Sequence, residues 1–150
     1  MKGRKENKMS EQIKIDSGLK TYNVVDEDGR LFCQITFNPS DTGIAKRYEE
    51  VKRRLFVLRN GSSKKSKKKS IAEQLNELNA IVYEQIDYLL NANVSETIFS
   101  IMGPFSPLPS GQFFFENILE SICQIIREES KNNTAKVEEK ISKYTKKYHG

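Results

Sequence analysis

The spacing of the apolar residues changes at Pro39, and this change limits the fold more than any other feature of the sequence. Before Pro39, apolar residues occupy every second position from Leu31 to Phe37, as in a β-strand with one buried face. After Pro39 they recur at intervals of four and three, as on one face of an amphipathic helix. The residues of this helical stripe are Ile44, Tyr48, Val51, Leu55 and Leu58. Because proline has no N–H to donate to a strand ladder, Pro39 ends the strand and separates the two patterns.

A β-hairpin is predicted at about residues 20–37. A β-patterned run ends just before the sequence Asp-Glu-Asp-Gly of residues 26–29, and the strand described above follows it. An Asp-Gly pair between two such runs is typical of a type I′ turn, in which both central residues need a positive φ. Residues 13–16 also alternate between apolar and polar, so they are a candidate third strand. The acidic turn lacks the spacing of a calcium loop, because Val24 and Ile35 would take ligand positions.

Four or five helices are predicted after the hairpin. The first has Ser40 or Asp41 as its N-cap and ends at Asn60-Gly61, where glycine can adopt the left-handed conformation of a C-cap. The second begins at Ser70, whose spacing from Glu73 is that of a capping box. Its apolar stripe consists of Ile71, Leu75, Leu78, Val82 and Leu89, widened by Ile81, Ile86 and Tyr88.

The remaining helices lie on both sides of a proline-rich connector at residues 104–111. A short helix is predicted before it, at about residues 95–102, and an apolar central helix begins after it, at Phe113. A final polar helix from about Thr134 carries a narrow stripe. The stripe residues are Val137, Ile141, Tyr144 and Tyr148. We therefore predict an α+β fold, in which an N-terminal β-hairpin of two or three strands packs on a bundle of four to five helices.

The chain of 150 residues is predicted to form one domain, at residues 12–130. Residues 1–11 are basic and nearly free of apolar side chains, so they are predicted to be a disordered leader. Residues 61–69 are predicted to form a basic loop within the domain. Residues 131–150 are predicted to form a polar C-terminal helix or tail.

The positive charge of the chain is local. The formal net charge is +5, and the loop at 61–69 contains five lysines. They are Lys64, Lys65, Lys67, Lys68 and Lys69. The loop has neither arginines nor aromatic residues with which to read or stack on bases, so we interpret it as a solvated loop. Nucleic-acid binding through these lysines is the alternative function.

Composition excludes several other classes of protein. No apolar run reaches the roughly 18 residues of a membrane span, so no membrane association is expected. The basic N-terminus is not followed by the apolar segment of a secretory signal. Cys33 and Cys123 are too few for a disulfide scaffold and are not spaced as a zinc-binding pair. We therefore expect a cytoplasmic protein with no metal site and no cofactor.

Catalytic residues are not recognisable in the sequence. The single histidine, His149, is next to the last residue, and both cysteines fall on apolar faces of predicted elements. Nucleophilic or acid–base chemistry needs a nucleophile, a base and an orienting group, and no such set is present. We therefore expect a protein that is not an enzyme.

Three consecutive phenylalanines are the strongest sign of a binding surface. Phe113, Phe114 and Phe115 would cover about 200° of a helix surface, so they cannot all face one core. Either residues 105–108 cover the outward-facing ring or a partner does, and the sequence leaves both alternatives open. Together with Val137, Ile141 and Tyr144 they are the predicted partner-binding residues.

Two segments resemble a known family. Residues 37–41, Phe-Asn-Pro-Ser-Asp, lead into Ala-Lys-Arg-Tyr-Glu at 45–49, and Gly-Gln-Phe-Phe-Phe-Glu-Asn-Ile-Leu-Glu occupies 111–120. Both are similar to segments of the short tail-assembly chaperones of phages and prophages of Gram-positive bacteria. The resemblance extends over about residues 12–130 in the order of elements; the lysine-rich loop and the residues after 130 depart from it.

The resemblance implies a non-enzymatic function. A member of this family holds the long tape-measure protein soluble and helps to recruit tail-tube subunits to it during tail assembly. The implied partners are therefore the tape-measure protein and the tail-tube protein, and self-association into a homo-oligomer is left open.

Overall fold

The computed structural model describes residues 10–61 and 69–149, and in these ranges the chain forms one two-stranded antiparallel sheet and four helices. In chain order the elements are β1 (Lys20–Val25), β2 (Leu31–Phe37), α1 (Ile44–Gly61), α2 (Ile71–Leu90), α3 (Ser95–Ile98) and α4 (Phe114–His149). The predicted α+β fold, a hairpin followed by helices, is confirmed. The candidate third strand is wrong, because residues 11–19 have no regular secondary structure. Residues 1–9 of the predicted leader lie outside the described residues.

The hairpin pairs Tyr22 with Ile35 and Lys20 with Phe37. The rings of Tyr22 and Phe37 stack with their centroids 5.1 Å apart, which places the packed face of the sheet against the helices. The predicted type I′ turn is wrong, because only Gly29 in the turn has a positive φ. The Gly29 N–H donates to the Asp26 carbonyl, and the Asp26 N–H donates to the Arg30 carbonyl. This is the pattern of a longer loop with one left-handed glycine.

Side-chain caps hold α1 and α2 in place. Asp41 Oδ1 accepts the Gly43 N–H just before α1, and Ser70 and Glu73 form the predicted capping box at the start of α2. Three of the predicted stripe residues of α1 are buried and two are half-buried. Arg47 Nε donates to the Leu89 carbonyl at 3.0 Å and so ties the start of α1 to the end of α2. The two helices therefore run antiparallel.

Only the C-terminal half of α2 is packed in the core. Val82, Ile86 and Leu89 are fully buried, as their stripe predicted. Ile71 and Leu75 are exposed, and Leu78 is half-buried. The predicted apolar stripe of α2 is therefore not buried in its first two turns.

The short helix and the connector are more irregular than predicted. Helix α3 ends at Ile98, not near residue 102, and Asp87 of α2 holds its N-terminus by accepting the N–H groups of Val94 and Ser95. The proline-rich connector then lies against the body, and the Phe114 N–H donates to the Ser106 carbonyl at 2.9 Å. It is a fixed segment, as its prolines predicted.

Helix α4 is continuous from Phe114 to His149, so the central helix and the polar helix predicted from about Thr134 are one helix. The intervening residues contain neither glycine nor proline, and nothing in them ends a helix. Glu129 fixes the middle of α4, because its carboxylate binds Lys20 of β1 at 2.8 Å and Ser40 at 3.2 Å. The Asn133 amide also donates to Ser40 at 3.0 Å.

The core lies between the packed face of the hairpin, the facing sides of α1 and α2, α3 and the first half of α4. Its least exposed apolar residues are Phe37, Val51, Val82, Ile86, Leu89 and Ile98. Among the described helices, none combines the length and the apolar character needed to cross a bilayer.

The ion pair between Asp41 and Arg47 is expected to make stability depend on pH. The pKa of the Asp41 carboxyl is lowered by the hydrogen bond from the Gly43 N–H and by Arg47, whose Nη2 lies 3.0 Å from Asp41 Oδ2. A carboxyl whose pKa is lower in the folded state stabilises the fold fully above its unfolded pKa of about 3.9. This stabilisation disappears as the pH falls through the folded-state value.

We expect Asp41→Asn to cost about 0.5–1 kcal/mol of unfolding free energy at neutral pH and almost nothing at about pH 2. The asparagine oxygen can still accept the Gly43 N–H, so the change removes the negative charge and the acceptor for Arg47 and keeps the cap. Urea unfolding of both proteins across this pH range measures the difference. If Asp41→Asn lowers the unfolding free energy equally at neutral pH and at low pH, the pH dependence does not come from the Asp41–Arg47 ion pair.

Candidate functional site

An open apolar groove runs between α1 and α4 and has a volume of about 630 Å³. We call it the α1–α4 groove. Its base consists of buried side chains of the two helices: Val51, Leu55, Phe115 and Cys123. Phe56 of α1 and Phe113 of the connector lie at its edges and are 64% and 40% exposed. Large exposed aromatic side chains beside an apolar cleft are typical of a protein-binding surface.

The predicted conflict among the three phenylalanines is resolved by where α4 begins. Phe113 lies before the helix, where its N–H donates to Glu116 Oε1 and caps the first turn. Phe114 points into the core and meets the edge of the Phe99 ring at 5.8 Å. Phe115 faces the groove and packs on Phe105 of the connector at 5.1 Å. Phe113 packs on the same Phe105 ring at 5.4 Å.

This arrangement divides the predicted partner-binding residues. Phe114 is buried on the core side, so the structure does not place it on an exposed surface. Phe115 is also buried, but it forms part of the base of the α1–α4 groove. Phe113 is the exposed member of the three. The connector therefore covers one side of these rings, and covering of the remaining side by a partner stays a prediction.

Tyr48 of α1 and Cys123 of α4 face each other towards one end of the groove. The hydrogen bond between the Tyr48 hydroxyl and the Cys123 thiol, together with burial, raises the pKa of Tyr48 to about 12. The tyrosine is therefore neutral at physiological pH, and the pair acts as a packed contact. Burial likewise raises the pKa of the Cys33 thiol, which keeps it protonated.

Helices α1 and α4 run antiparallel along the groove. Ser40, just before α1, contacts Glu129, whereas Tyr48, further along α1, contacts Cys123. The wall that α1 contributes, from Tyr48 to Leu58, is therefore about 15 Å long. This is the length of nearly three helical turns.

The two walls of the groove differ in charge. Helix α4 contributes Glu116 and Glu120 near its N-terminus, and Glu120 accepts a hydrogen bond from the Gln112 amide at 3.2 Å. Helix α1 contributes Lys52, whose ammonium lies 5.5 Å from the Tyr48 ring centroid. Arg127 of α4 lies at the end of the groove where Tyr48 is found. An apolar occupant with one basic flank and one acidic flank is complementary to this rim.

The second predicted surface, the stripe of Val137, Ile141 and Tyr144, does not belong to the groove. It lies on the part of α4 that extends past Asn133, and the three side chains are 40%, 59% and 66% exposed. The side chain of Tyr148 lies outside the described residues. The structure therefore separates the predicted partner-binding residues into a groove and an exposed helix.

The lysines of the predicted basic loop are mostly beyond what the structure describes. Lys64, Lys65, Lys67 and Lys68 lie outside the described residues, and Lys69 makes an ion pair with Glu77 of α2. The acidic hairpin turn binds its own backbone, since Asp26 Oδ1 accepts the N–H groups of Asp28 and Arg30. In the described ranges there is no group of three or more His, Cys, Asp or Glu side chains that could hold a metal ion.

Sequence reasoning missed Phe56 as a functional candidate. Phe56 and Val57 are apolar but lie off the stripe that α1 buries, and this departure from the helical pattern was the available signal. Lys52 and Leu119 had no such signal, because a lysine on a polar face and a leucine on an apolar face are ordinary.

Comparison of the chain with protein-family models, with curated proteins and with solved structures finds no match. The resemblance to tail-assembly chaperones therefore stays a prediction.

Proposed function

We propose that the protein is a non-enzymatic tail-assembly chaperone of a phage or prophage, acting in the cytoplasm of the bacterial host. In this proposal it binds an amphipathic helix of the tape-measure protein in the α1–α4 groove and helps to recruit tail-tube subunits. The observation that carries the proposal is the groove itself, with the exposed rings of Phe56 and Phe113 at its edges.

The shape of the groove favours a helical ligand. A helix laid in a groove is held by apolar residues three and four positions apart, and a wall of about 15 Å accommodates two to three such turns. The base is apolar and the rim is charged, which is the usual anatomy of a protein-binding site. A tape-measure protein is a long helical chain. Before assembly its apolar stripes are exposed, so many copies of a chaperone are needed to cover them.

The apolar surface continues beyond the groove at the end where Phe113 lies. Leu78 of α2 lines the groove, and Leu75 and Ile71 continue its stripe along the exposed first turns of the helix. This continuation adds about 10 Å of exposed apolar helix. Exposed apolar side chains in the first turns of α2 are unfavourable for an isolated chain. A ligand helix that covers these turns would explain them.

The proposal predicts that one substitution in α1 abolishes client binding. Phe56→Asp places a carboxylate at the edge of the groove and is expected to lower recovery of the tape-measure protein at least ten-fold, because it removes an aromatic anchor and desolvates a charge. Val57→Asp is the matched control, since Val57 is equally exposed on the same turn but lies outside the groove. Both substitutions add the same charge near the same helix end.

The measurement is a tagged pull-down from cells that co-express the neighbouring genes, with washes at 50 and 500 mM salt and identification by mass spectrometry. We expect wild type and Val57→Asp to retain the tape-measure protein at both salt concentrations. Equal recovery with Phe56→Asp, at an unchanged melting temperature, would remove the groove from the proposal. Recovery of nucleic acid that the high-salt wash removes would instead favour the lysine loop.

A further inference from the structure

The part of α4 that follows Asn133 is an amphipathic helix that continues past the packed half of α4; at its start, Thr134, Val137 and Glu138 line a cleft beside residues 39–45 of the same chain. We call residues 134–149 the α4 tail. Every side chain from Thr134 to Lys146 is exposed, including the apolar stripe of Val137, Ile141 and Tyr144. Exposed apolar side chains aligned on one helix face indicate a contact that the isolated chain does not make.

The flanks of this stripe differ in charge. At about 100° per residue, Lys136, Lys140 and Lys143 lie together on one side of the stripe, whereas Glu138 lies on the other. The lysine flank is complementary to the α4 wall of the groove, which carries Glu116 and Glu120. The acidic flank is complementary to the α1 wall, which carries Lys52. Both charge pairs are compatible with one orientation of the docked helix.

The dimensions also agree. The stripe from Val137 to Tyr144 is about 10 Å long, and the α1 wall of the groove is about 15 Å long. The tail cannot reach the groove of its own chain, because the first half of α4 forms one wall of that groove and the helix is continuous. The groove that the tail can enter is that of another copy.

Pairing of two tails with each other is a weaker solution. The stripe Val137, Ile141, Tyr144 and Tyr148 spans about two heptads, whereas coiled coils are generally sustained over three or four. An antiparallel pair would also bring the two lysine flanks together, and like charges at that distance repel.

We infer that the α4 tail of one copy docks in the α1–α4 groove of a second copy, with its lysine flank against Glu116 and Glu120. The inference rests on the proposed function in one respect, namely that the groove accepts an amphipathic helix. The two surfaces in contact are different, so a copy whose tail is docked still has a groove that a further copy can enter, and copies can add in a row. In the absence of a client, this docking covers the groove; a client helix displaces the tail.

Two single variants and their mixture test this inference by sedimentation equilibrium. Wild type is expected to show a mass that increases with concentration. Ile141→Asp in the tail and Phe56→Asp in the groove are each expected to raise the dissociation constant at least ten-fold, whereas Ser142→Asp, on the opposite face of the tail, is not. An equimolar mixture of Ile141→Asp and Phe56→Asp is expected to form pairs, because one intact tail and one intact groove remain.

Each of three results would overturn the inference: a wild type that stays monomeric at its highest attainable concentration, self-association of Ile141→Asp equal to wild type, or a mixture that stays monomeric.

Failure of the proposed function can be told apart from failure of this inference. Ile141→Asp keeps its groove, so it should still bind the tape-measure protein at least as well as wild type. If Ile141→Asp loses the tape-measure protein while the mixture still forms pairs, the proposed client is wrong. If Ile141→Asp binds the tape-measure protein but the mixture forms no pairs, the docking of the tail is wrong.

Discussion

Phe37→Ala is expected to lower the free energy of unfolding by about 3–5 kcal/mol, a large part of the 5–15 kcal/mol that stabilises a domain of this size. Phe37 has no exposed surface, stacks on Tyr22 and ends the strand that packs against α3. Truncation removes the apolar contacts of the ring and leaves a cavity that the surrounding helices cannot fill. Urea unfolding monitored by circular dichroism measures the loss.

Phe32→Ala is the matched control, because Phe32 lies on the same strand and is 49% exposed. Its replacement is expected to change the unfolding free energy by no more than about 0.5 kcal/mol. The comparison tests which face of β2 is buried, since a strand shifted by one residue exchanges its two faces. Equal losses for the two variants would show that the hairpin does not pack in this register.

Features of the fold that are set by local chemistry could be predicted from the sequence. The hairpin, the stripe of α1 and the capping box at Ser70 each depend on residues within a few positions of one another. The type of turn could not be predicted, because Asp-Gly is compatible with more than one loop. Within this hairpin loop the structure places only Gly29 at a positive φ, and the acidic side chain of Asp26 binds the loop backbone.

Features that depend on long-range contacts were predicted less well. The apolar stripe of α2 has the same period over its full length, yet its burial ends where α1 and the connector no longer reach it. The continuity of α4 is a similar case. The sequence predicts a polar helix from about Thr134 and leaves open whether it joins the helix before it; in the structure, polarity marks where α4 leaves the body and not where a helix ends.

In the candidate site, too, the sequence predicted the local feature but not the long-range arrangement. The sequence identified the phenylalanines at 113–115 as unusual, and it could not say which ring faces which way. That assignment depends on the hydrogen bond from the Phe113 N–H to Glu116, which sets the first residue of α4. A shift of one residue would exchange the core ring of Phe114 with the groove ring of Phe115.

The second large effect is expected at a polar residue. Asp87→Ala is expected to cost about 3 kcal/mol, because the Asp87 carboxylate accepts three hydrogen bonds that hold the N-terminus of α3. The donors are the N–H groups of Val94 and Ser95 and the Ser95 hydroxyl, at 2.8–2.9 Å. Val94 and Ser95 are buried, so water cannot readily replace the lost acceptor. Urea unfolding again gives the magnitude.

Asp87→Asn separates the charge from the geometry. The asparagine oxygen can still accept both backbone N–H groups and its amide can donate to Ser95, so we expect a loss of only about 1 kcal/mol. Amide hydrogen exchange provides a second measurement. The Ile98 and Phe99 N–H groups donate to the Val94 and Ser95 carbonyls, so they should lose protection in Asp87→Ala. Equal stability of the alanine and asparagine variants would contradict this assignment.

Asp87→Ala should also affect the α1–α4 groove. Helix α3 holds the Phe99 ring, Phe99 meets the edge of Phe114, and Phe114 fixes the start of the helix that forms one wall of the groove. If Asp87 acts through this series of contacts, Asp87→Ala should weaken the proposed binding of the tape-measure protein in the groove even where the variant is still folded. Val57→Asp, which leaves the series intact, should not. A loss of stability without any loss of binding would show that the start of α4 is held by the connector alone.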